Sequence, residues 1–183
     1  MAHTSIVIKD NFLPPEEFEF LRGITEKPGF PWMLNPHSDE EGDNNPQFIH
    51  VMFENVYGSI HVSQSFEYLV PIINRLNVYN IIFAKLNLTT RLSKNDERRG
   101  KYHQDMPLEV LPKTYGNVVH TAVYYLNTNN GRTEFANGDY AESIANRLVT
   151  FPCGLHHRAV RHDEGDYHRI IFNINYVPLA EGA

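Results

Sequence analysis

Two long runs of alternating residues constrain this chain more than any other feature. In 80–91, Ile82, Ala84, Leu86 and Leu88 fall on one side of an extended backbone, and Lys85, Asn87, Thr89 and Arg91 fall on the other. Successive side chains of a strand point to opposite faces, so this spacing separates an apolar face from a polar one. In 168–177, Ile170, Phe172, Ile174 and Tyr176 oppose Arg169, Asn173 and Asn175 in the same way. One face of each strand must be covered by apolar material, while the other borders a wet space, which predicts a pocket. Two helix candidates can supply the cover. Residues 16–25 follow Pro14-Pro15, carry Glu16 and Glu17 in the first turn, and line up Phe18, Leu21 and Thr25 with Phe20 and Ile24; prolines and acids both suit a helix N-terminus. Residues 63–76 offer Phe66, Leu69, Val70 and Ile73, with Pro71 expected to kink or shorten the helix. Further β-rich runs at 5–9, 48–53, 118–126 and 147–151 complete the pattern. Early helices followed by antiparallel-looking strands predict a mainly β sandwich or barrel with helical cover.

Length and charge narrow the function classes. A chain of 183 residues suits one domain spanning 1–183. Sixteen basic against 22 acidic side chains leave a net charge of −6, which argues against a protein that coats nucleic acid or an acidic membrane. Cys153 is the sole cysteine, so no intrachain disulfide and no cysteine-based zinc site can form. There is no basic-then-apolar leader pattern and no long apolar run, so a soluble, cytoplasmic protein is expected. Ten histidines direct attention to metal chemistry. The acidic segment 38–46 and the mixed but basic segment 93–101 read as solvated connections, with flaps over a site as the sharper alternative.

One ordered set of residues carries chemistry. His103-Gln104-Asp105 places an imidazole and a carboxylate two positions apart, on the same side if the segment is extended. A third imidazole comes in the 151–158 run, FPCGLHHR, where His156 and His157 are adjacent and only one can face inward on a strand. Two histidines and one carboxylate can occupy one face of an octahedral ferrous ion and leave positions open. Arg169 follows His157 by 12 residues on the polar face of the last strand. A guanidinium there can grip a carboxylate as a fork, which a lysine could not do.

With Tyr124-Tyr125-Leu126-Asn127 and the run Gly131-Arg132-Thr133-Glu134-Phe135 between these motifs, the order and spacing from about Ile81 to Val177 resemble the Fe(II)/2-oxoglutarate-dependent oxygenases. Within them, the chain is similar to the prolyl-hydroxylase-like group. The resemblance implies a double-stranded β-helix (jelly-roll, cupin-like) core with the N-terminal helices packed on one sheet. It implies His103, Asp105 and His157 as catalytic iron ligands, because the ligand usually stands six positions after the leading phenylalanine, here Phe151. It further implies Arg169 and Tyr125 on the far carboxylate of 2-oxoglutarate, with Asn87 near the cosubstrate's C1 end. Fe(II), 2-oxoglutarate and O₂ are then the cofactors, with ascorbate as a supporting reductant. The implied reaction hydroxylates an unactivated C–H bond and releases succinate and CO₂. The substrate expected by analogy is a peptidyl or free amino acid, proline foremost, so a small molecule or peptide is the partner and neither a membrane nor nucleic acid is. The chain departs from the group at Arg132, where a second glycine is commoner. Asp105 disfavours halogenation, since related halogenases carry a small residue there.

Two other readings use the same residues. An alkylated-base demethylase would need a basic, aromatic-lined groove, against which the negative charge weighs. A catalytically silent cupin-like binding module would have no evident use for Arg169 and Tyr125. Elsewhere, His120 shares the parity of Tyr124 and should face away from the metal, Trp32 reads as a packing anchor, and Cys153 as a buried, inert thiol.

Overall fold

The computed structural model describes residues 5–37, 46–56, 59–94, 96–105 and 118–179. The two alternating runs form the centre of the larger sheet. β5 (Val78–Thr90) and β11 (His168–Pro178) pair antiparallel along almost their full length, and β6 (His120–Tyr125) pairs with the other side of β11. The sheet extends outward through β9 (Arg147–Pro152) to β1 (Val7–Lys9), and on the opposite flank through β3 (Gln47–Val56) to β2 (Met33–Asn35), with β4 (Ser59–Val62) also on β3. A second sheet places β7 (Arg132–Phe135) between β10 (His157–Val160) and β8 (Tyr140–Glu142). Segment 99–103 continues it, since Arg99 bridges Val160 and His103 bridges His157.

Register fixes what each face carries. Leu86 pairs Phe172, Ala84 pairs Ile174, and Tyr124 pairs both Phe172 and Leu148, so these side chains share one face. Against it pack Phe18 and Leu21 of α1 (Pro15–Thr25), Leu69, and Ile72 of α2 (Val70–Leu76). Burying each such side chain is worth roughly 1.5–3 kcal/mol. Trp32 packs at the margin of this cluster, as expected. Pro71 shortens the second helix as anticipated: a 3₁₀ turn over Phe66–Leu69 precedes α2, and Pro71 sits in its first turn, where a missing N–H costs nothing. The opposite face presents Arg169, Ile171, Asn173 and Asn175 from β11 and Lys85, Asn87 and Thr89 from β5. The smaller sheet faces it, and Val123, Tyr125, Ile171, Phe135, Ala141, Val149 and Phe151 pack between the two. This two-sheet, helix-backed arrangement is the jelly-roll-like architecture expected.

Asn146 ties the N-terminal segment to the sheet. Its Oδ1 accepts from Leu13 N at 2.9 Å and from the Tyr124 hydroxyl at 2.7 Å, while its Nδ2 donates to Leu13 O at 2.8 Å. It also holds φ at +61°, a left-handed conformation that asparagine tolerates better than most residues. Asn146→Ala should therefore cost about 2–4 kcal/mol in urea unfolding, because it orphans buried polar groups and strains the backbone. A loss under ~1 kcal/mol would show that this tie is dispensable.

Candidate functional site

The expected ligands converge. The ligand atoms of His103, Asp105 and His157 all lie within 4.8 Å of one another. Asp105 Oδ1 is 3.8 Å from His103 Nε2 and 3.6 Å from His157 Nε2. The two histidines are locked side by side by reciprocal backbone bonds, His103 N to His157 O at 2.9 Å and His157 N to His103 O at 3.0 Å. Each ring then donates Nδ1–H to a carbonyl two residues earlier, His103 to Lys101 O at 3.2 Å and His157 to Leu155 O at 2.9 Å. With Nδ1 committed to that carbonyl, each ring turns Nε2 toward the cluster, the nitrogen that would ligate a metal. His156 is exposed and His157 buried, which settles which of the adjacent pair faces inward. The expected strand at 103–105 is absent; His103 makes a single bridge, and the backbone bends at Asp105.

Asp105 is anchored from the floor of the site. Asn173 Nδ2 lies 3.3 Å from both carboxylate oxygens, and Asn175 Nδ2 is 3.4 Å from Oδ2 and 2.9 Å from Thr121 Oγ1. Burial alone would raise the Asp105 carboxyl, but the hydrogen bond and charge of His157, with the charges of His103 and Lys85, hold it well below the usual carboxylate range. The carboxylate is ionised and ready to bind a cation.

Arg169 lies on the same face and is only 4% exposed, yet its Nε and Nη2 have no hydrogen-bond partner. No carboxylate among the described residues pairs with it. Burial pushes its pKa down, and only the neighbouring Tyr125 works the other way. A buried guanidinium with only the Tyr125 hydroxyl as acceptor and two nitrogens unsatisfied is costly, so the site is built for an anion that enters from outside. Its guanidinium carbon lies 5.3 Å from the centre of the Tyr125 ring, whose hydroxyl shares a hydrogen bond with Thr133 Oγ1 at 2.8 Å. Burial raises the Tyr125 phenol against the opposing pull of Arg169, so it stays protonated. Gly131 keeps this corner open: a Cβ there would come within 3.1 Å of Arg169 Cδ and 3.0 Å of Val160 O. Arg132, the departure from the usual glycine, turns away and bonds Glu134, which Arg158 also holds.

His103, Asp105, His157, Asn173, Arg169 and Thr133 line one cavity of about 90 Å³ with Lys85, Asn87, Thr89, Gln47 and Arg161, and Tyr125 lies behind its wall against Arg169. At roughly 10–15 Å³ per water, that is room for several waters or one small diacid. Asn87 donates Nδ2 to Gln47 Oε1 at 3.0 Å and presents an unpartnered Oδ1. Sequence reasoning gave no role to Thr133, on a four-residue strand too short to show alternation, or to Arg161, which lies just past the end of β10. Segment 93–101 is more than a solvated connection: Arg98 donates to Arg161 O at 2.9 Å, Gly100 N donates to Ala159 O at 2.9 Å, and Gly100 lines the cavity. Most of 38–46 lies outside the described residues. His120 faces away toward Tyr176, and Cys153 is buried with its thiol pushed up to about 11 by burial and by the charge of Asp105, so it is inert.

No protein-family model and no curated protein matches the sequence. Solved structures do match the fold. A prolyl-4-hydroxylase from Pseudomonas putida superposes with a TM-score of 0.59 at 16% identity, covering 98% of this chain and 95% of that one. An oxidoreductase of the 2OG-Fe(II) oxygenase family from Burkholderia pseudomallei gives 0.65 at 8% identity, covering 96% and 86%. The epimerase SnoN from nogalamycin biosynthesis, solved with Fe³⁺ and α-ketoglutarate, gives 0.60 at 10% identity, covering 94% and 78%. The chain shares the fold of these proteins. No helix among the described residues is long and apolar enough to cross a membrane.

The donor set suits a divalent cation of intermediate hardness. His103→Ala, Asp105→Ala and His157→Ala should each abolish Mn(II) binding in titration calorimetry, while His156→Ala should leave it intact. The opposite result for the adjacent histidines would move the ligand by one residue.

Proposed function

We propose that this chain, as one domain, is an Fe(II)- and 2-oxoglutarate-dependent dioxygenase that hydroxylates an amino acid. The observation that carries the reading is the buried guanidinium of Arg169, with Nε and Nη2 unsatisfied and no carboxylate beside it, sharing one cavity with His103, Asp105 and His157. A metal-binding module alone has no need of that cation. Residues and groups fit: three ligand atoms converge, and the cavity offers a carboxylate acceptor site beyond them.

His103, Asp105 and His157 would hold the iron, and Arg169, with the Tyr125 hydroxyl beside it, would hold the far carboxylate of 2-oxoglutarate. When bound, iron, 2-oxoglutarate and O₂ supply the oxidising power, with succinate and CO₂ as by-products. The protein's own part is positional. Lys101 O and Leu155 O orient the imidazoles, and Asn173 and Asn175 fix the carboxylate. Ile171 and Val123 line the cavity between the metal ligands and Arg169 and exclude water from the cosubstrate's length. Arg169 makes binding specific for a diacid through a charge-assisted fork. The likeness to a prolyl-4-hydroxylase favours a prolyl or related amino-acid substrate, peptidyl or free, over a methylated base, and the net charge of −6 supports the same choice.

Purified protein with Fe(II), ascorbate, 2-oxoglutarate and a panel of amino acids and peptides should release succinate, followed by mass spectrometry. Absence of succinate under every condition, with iron bound, would overturn the oxygenase reading. Arg169→Ala should raise the 2-oxoglutarate concentration for half-maximal turnover by one to two decades, from a contact worth roughly 1.5–3 kcal/mol. An unchanged requirement would remove Arg169 from the cosubstrate.

A further inference from the structure

The two histidines of the metal cluster are held unequally. The His157 side chain is 5% exposed, with the ring of Phe151 4.7 Å away and that of Phe135 6.4 Å away between centroids. The His103 side chain is 35% exposed and comes from a segment that meets β10 through isolated bridges rather than a continuous ladder. A ligand on such a segment binds metal tightly only if its neighbours fix it, because every other arrangement must be given up on binding. Both neighbours of His103 are fixed, and both to the chain around His157. Gln104 Nε2 donates to Gly154 O at 2.6 Å, in the turn whose Leu155 carbonyl orients His157. Tyr102 lies under the guanidinium of Arg158, whose carbon is 4.2 Å from the ring centre.

Arg158 follows His157 on β10 and faces the other way, so it meets Tyr102 on the outer side of the smaller sheet, behind the metal ligands. Glu134 stands opposite Arg158 in the register of β7, and its Oε2 accepts from Arg158 Nε at 2.9 Å and Nη2 at 2.7 Å. Arg132 holds the other oxygen, and Arg99 reaches Oε2 at 3.4 Å. Burial would raise the Glu134 carboxyl, but the hydrogen bonds and charges of Arg132 and Arg158 hold it at about 2, so it stays ionised. Two contacts to one carboxylate oxygen fix the plane of the Arg158 guanidinium, and a fixed plane is what a ring can stack on. We propose that Arg158 is a positioning residue of the metal centre: set by Glu134, its guanidinium braces Tyr102 and so keeps His103 at the distance from His157 that a shared metal ion requires. The proposal rests on His103, Asp105 and His157 being the metal ligands. Neither Arg158, Tyr102 nor Glu134 lines the cavity, so the brace acts through His103 and not on a bound molecule.

The test is Mn(II) affinity by titration calorimetry on Arg158→Met, Tyr102→Leu, their double variant and Tyr102→Phe, with urea unfolding to confirm that each is folded. A stack that serves stability alone would lower the unfolding midpoint and leave the affinity of the folded protein for metal where it was. The sign separates the brace from simple charge, since removing a cation near a divalent ion would by itself tighten binding. Arg158→Met and Tyr102→Leu should each weaken Mn(II) binding about three- to thirtyfold. The double variant should match the weaker single variant within about twofold, because both remove one contact. Tyr102→Phe keeps the ring and should restore the wild-type affinity. Tyr102 is 43% exposed, so the Leu and Phe variants read the same contact from a surface position if Arg158→Met does not fold. Affinities within about twofold of wild type in both single variants, tighter binding in Arg158→Met, or losses that add in the double variant overturn the proposal and leave the ligand assignment standing. Failure of the wild-type protein to bind Mn(II) overturns the ligand assignment and the proposal with it.

Discussion

A charge buried without its counter-ion organises this molecule. Removing a guanidinium from water costs several kcal/mol unless acceptors replace the lost solvent, and at Arg169 only the Tyr125 hydroxyl does so, with Nε and Nη2 left without partners. The arginine stands at the start of β11, flanked by β5 and close to Tyr125 at the end of β6, so the most extensively paired strand of the sheet holds it in place. The core on the far face makes that strand rigid. Leu86, Phe172, Ile174 and Tyr124 pack there against the helices, and their burial sustains the backbone on which the polar face is displayed. Stability and function are thus two faces of the same strands.

The metal cluster depends on a different device. His103 and His157 come from segments 54 residues apart, and reciprocal backbone hydrogen bonds bring them together. Each ring is oriented by a carbonyl of its own segment, so tautomer and direction are set locally once that bridge forms. Asp105 comes from a bend and is steadied by asparagines of β11. The strand that carries Arg169 therefore also positions the metal carboxylate, which ties the two ends of the cavity to one element.

What the sequence disclosed follows from strand length. β5 and β11 have 13 and 11 residues, long enough for period-two alternation to stand out, and the cavity face they predict is the one observed. The buried stripe of α1 was legible from its helical spacing of Phe18, Leu21 and Thr25. The smaller sheet was not, because β7, β8 and β10 have 4, 3 and 4 residues and show too few alternations to be recognised. Arg161 and Thr133 went unread with them. His103 and Asp105 were found by residue type and spacing, although the extended geometry expected for them is replaced by a bridge and a bend. Arg132, the departure from the usual glycine, pairs with Glu134 two residues on, and Glu134 in turn is held by Arg158 from the neighbouring strand.

The most direct measurement is a crystal structure of the protein with Mn(II) and 2-oxoglutarate. The account predicts the metal on His103, Asp105 and His157, and one carboxylate of the diacid on Arg169 Nε and Nη2 at about 2.7–2.9 Å. A diacid bound elsewhere, or an Arg169 guanidinium that turns to a carboxylate of the chain itself, would contradict it.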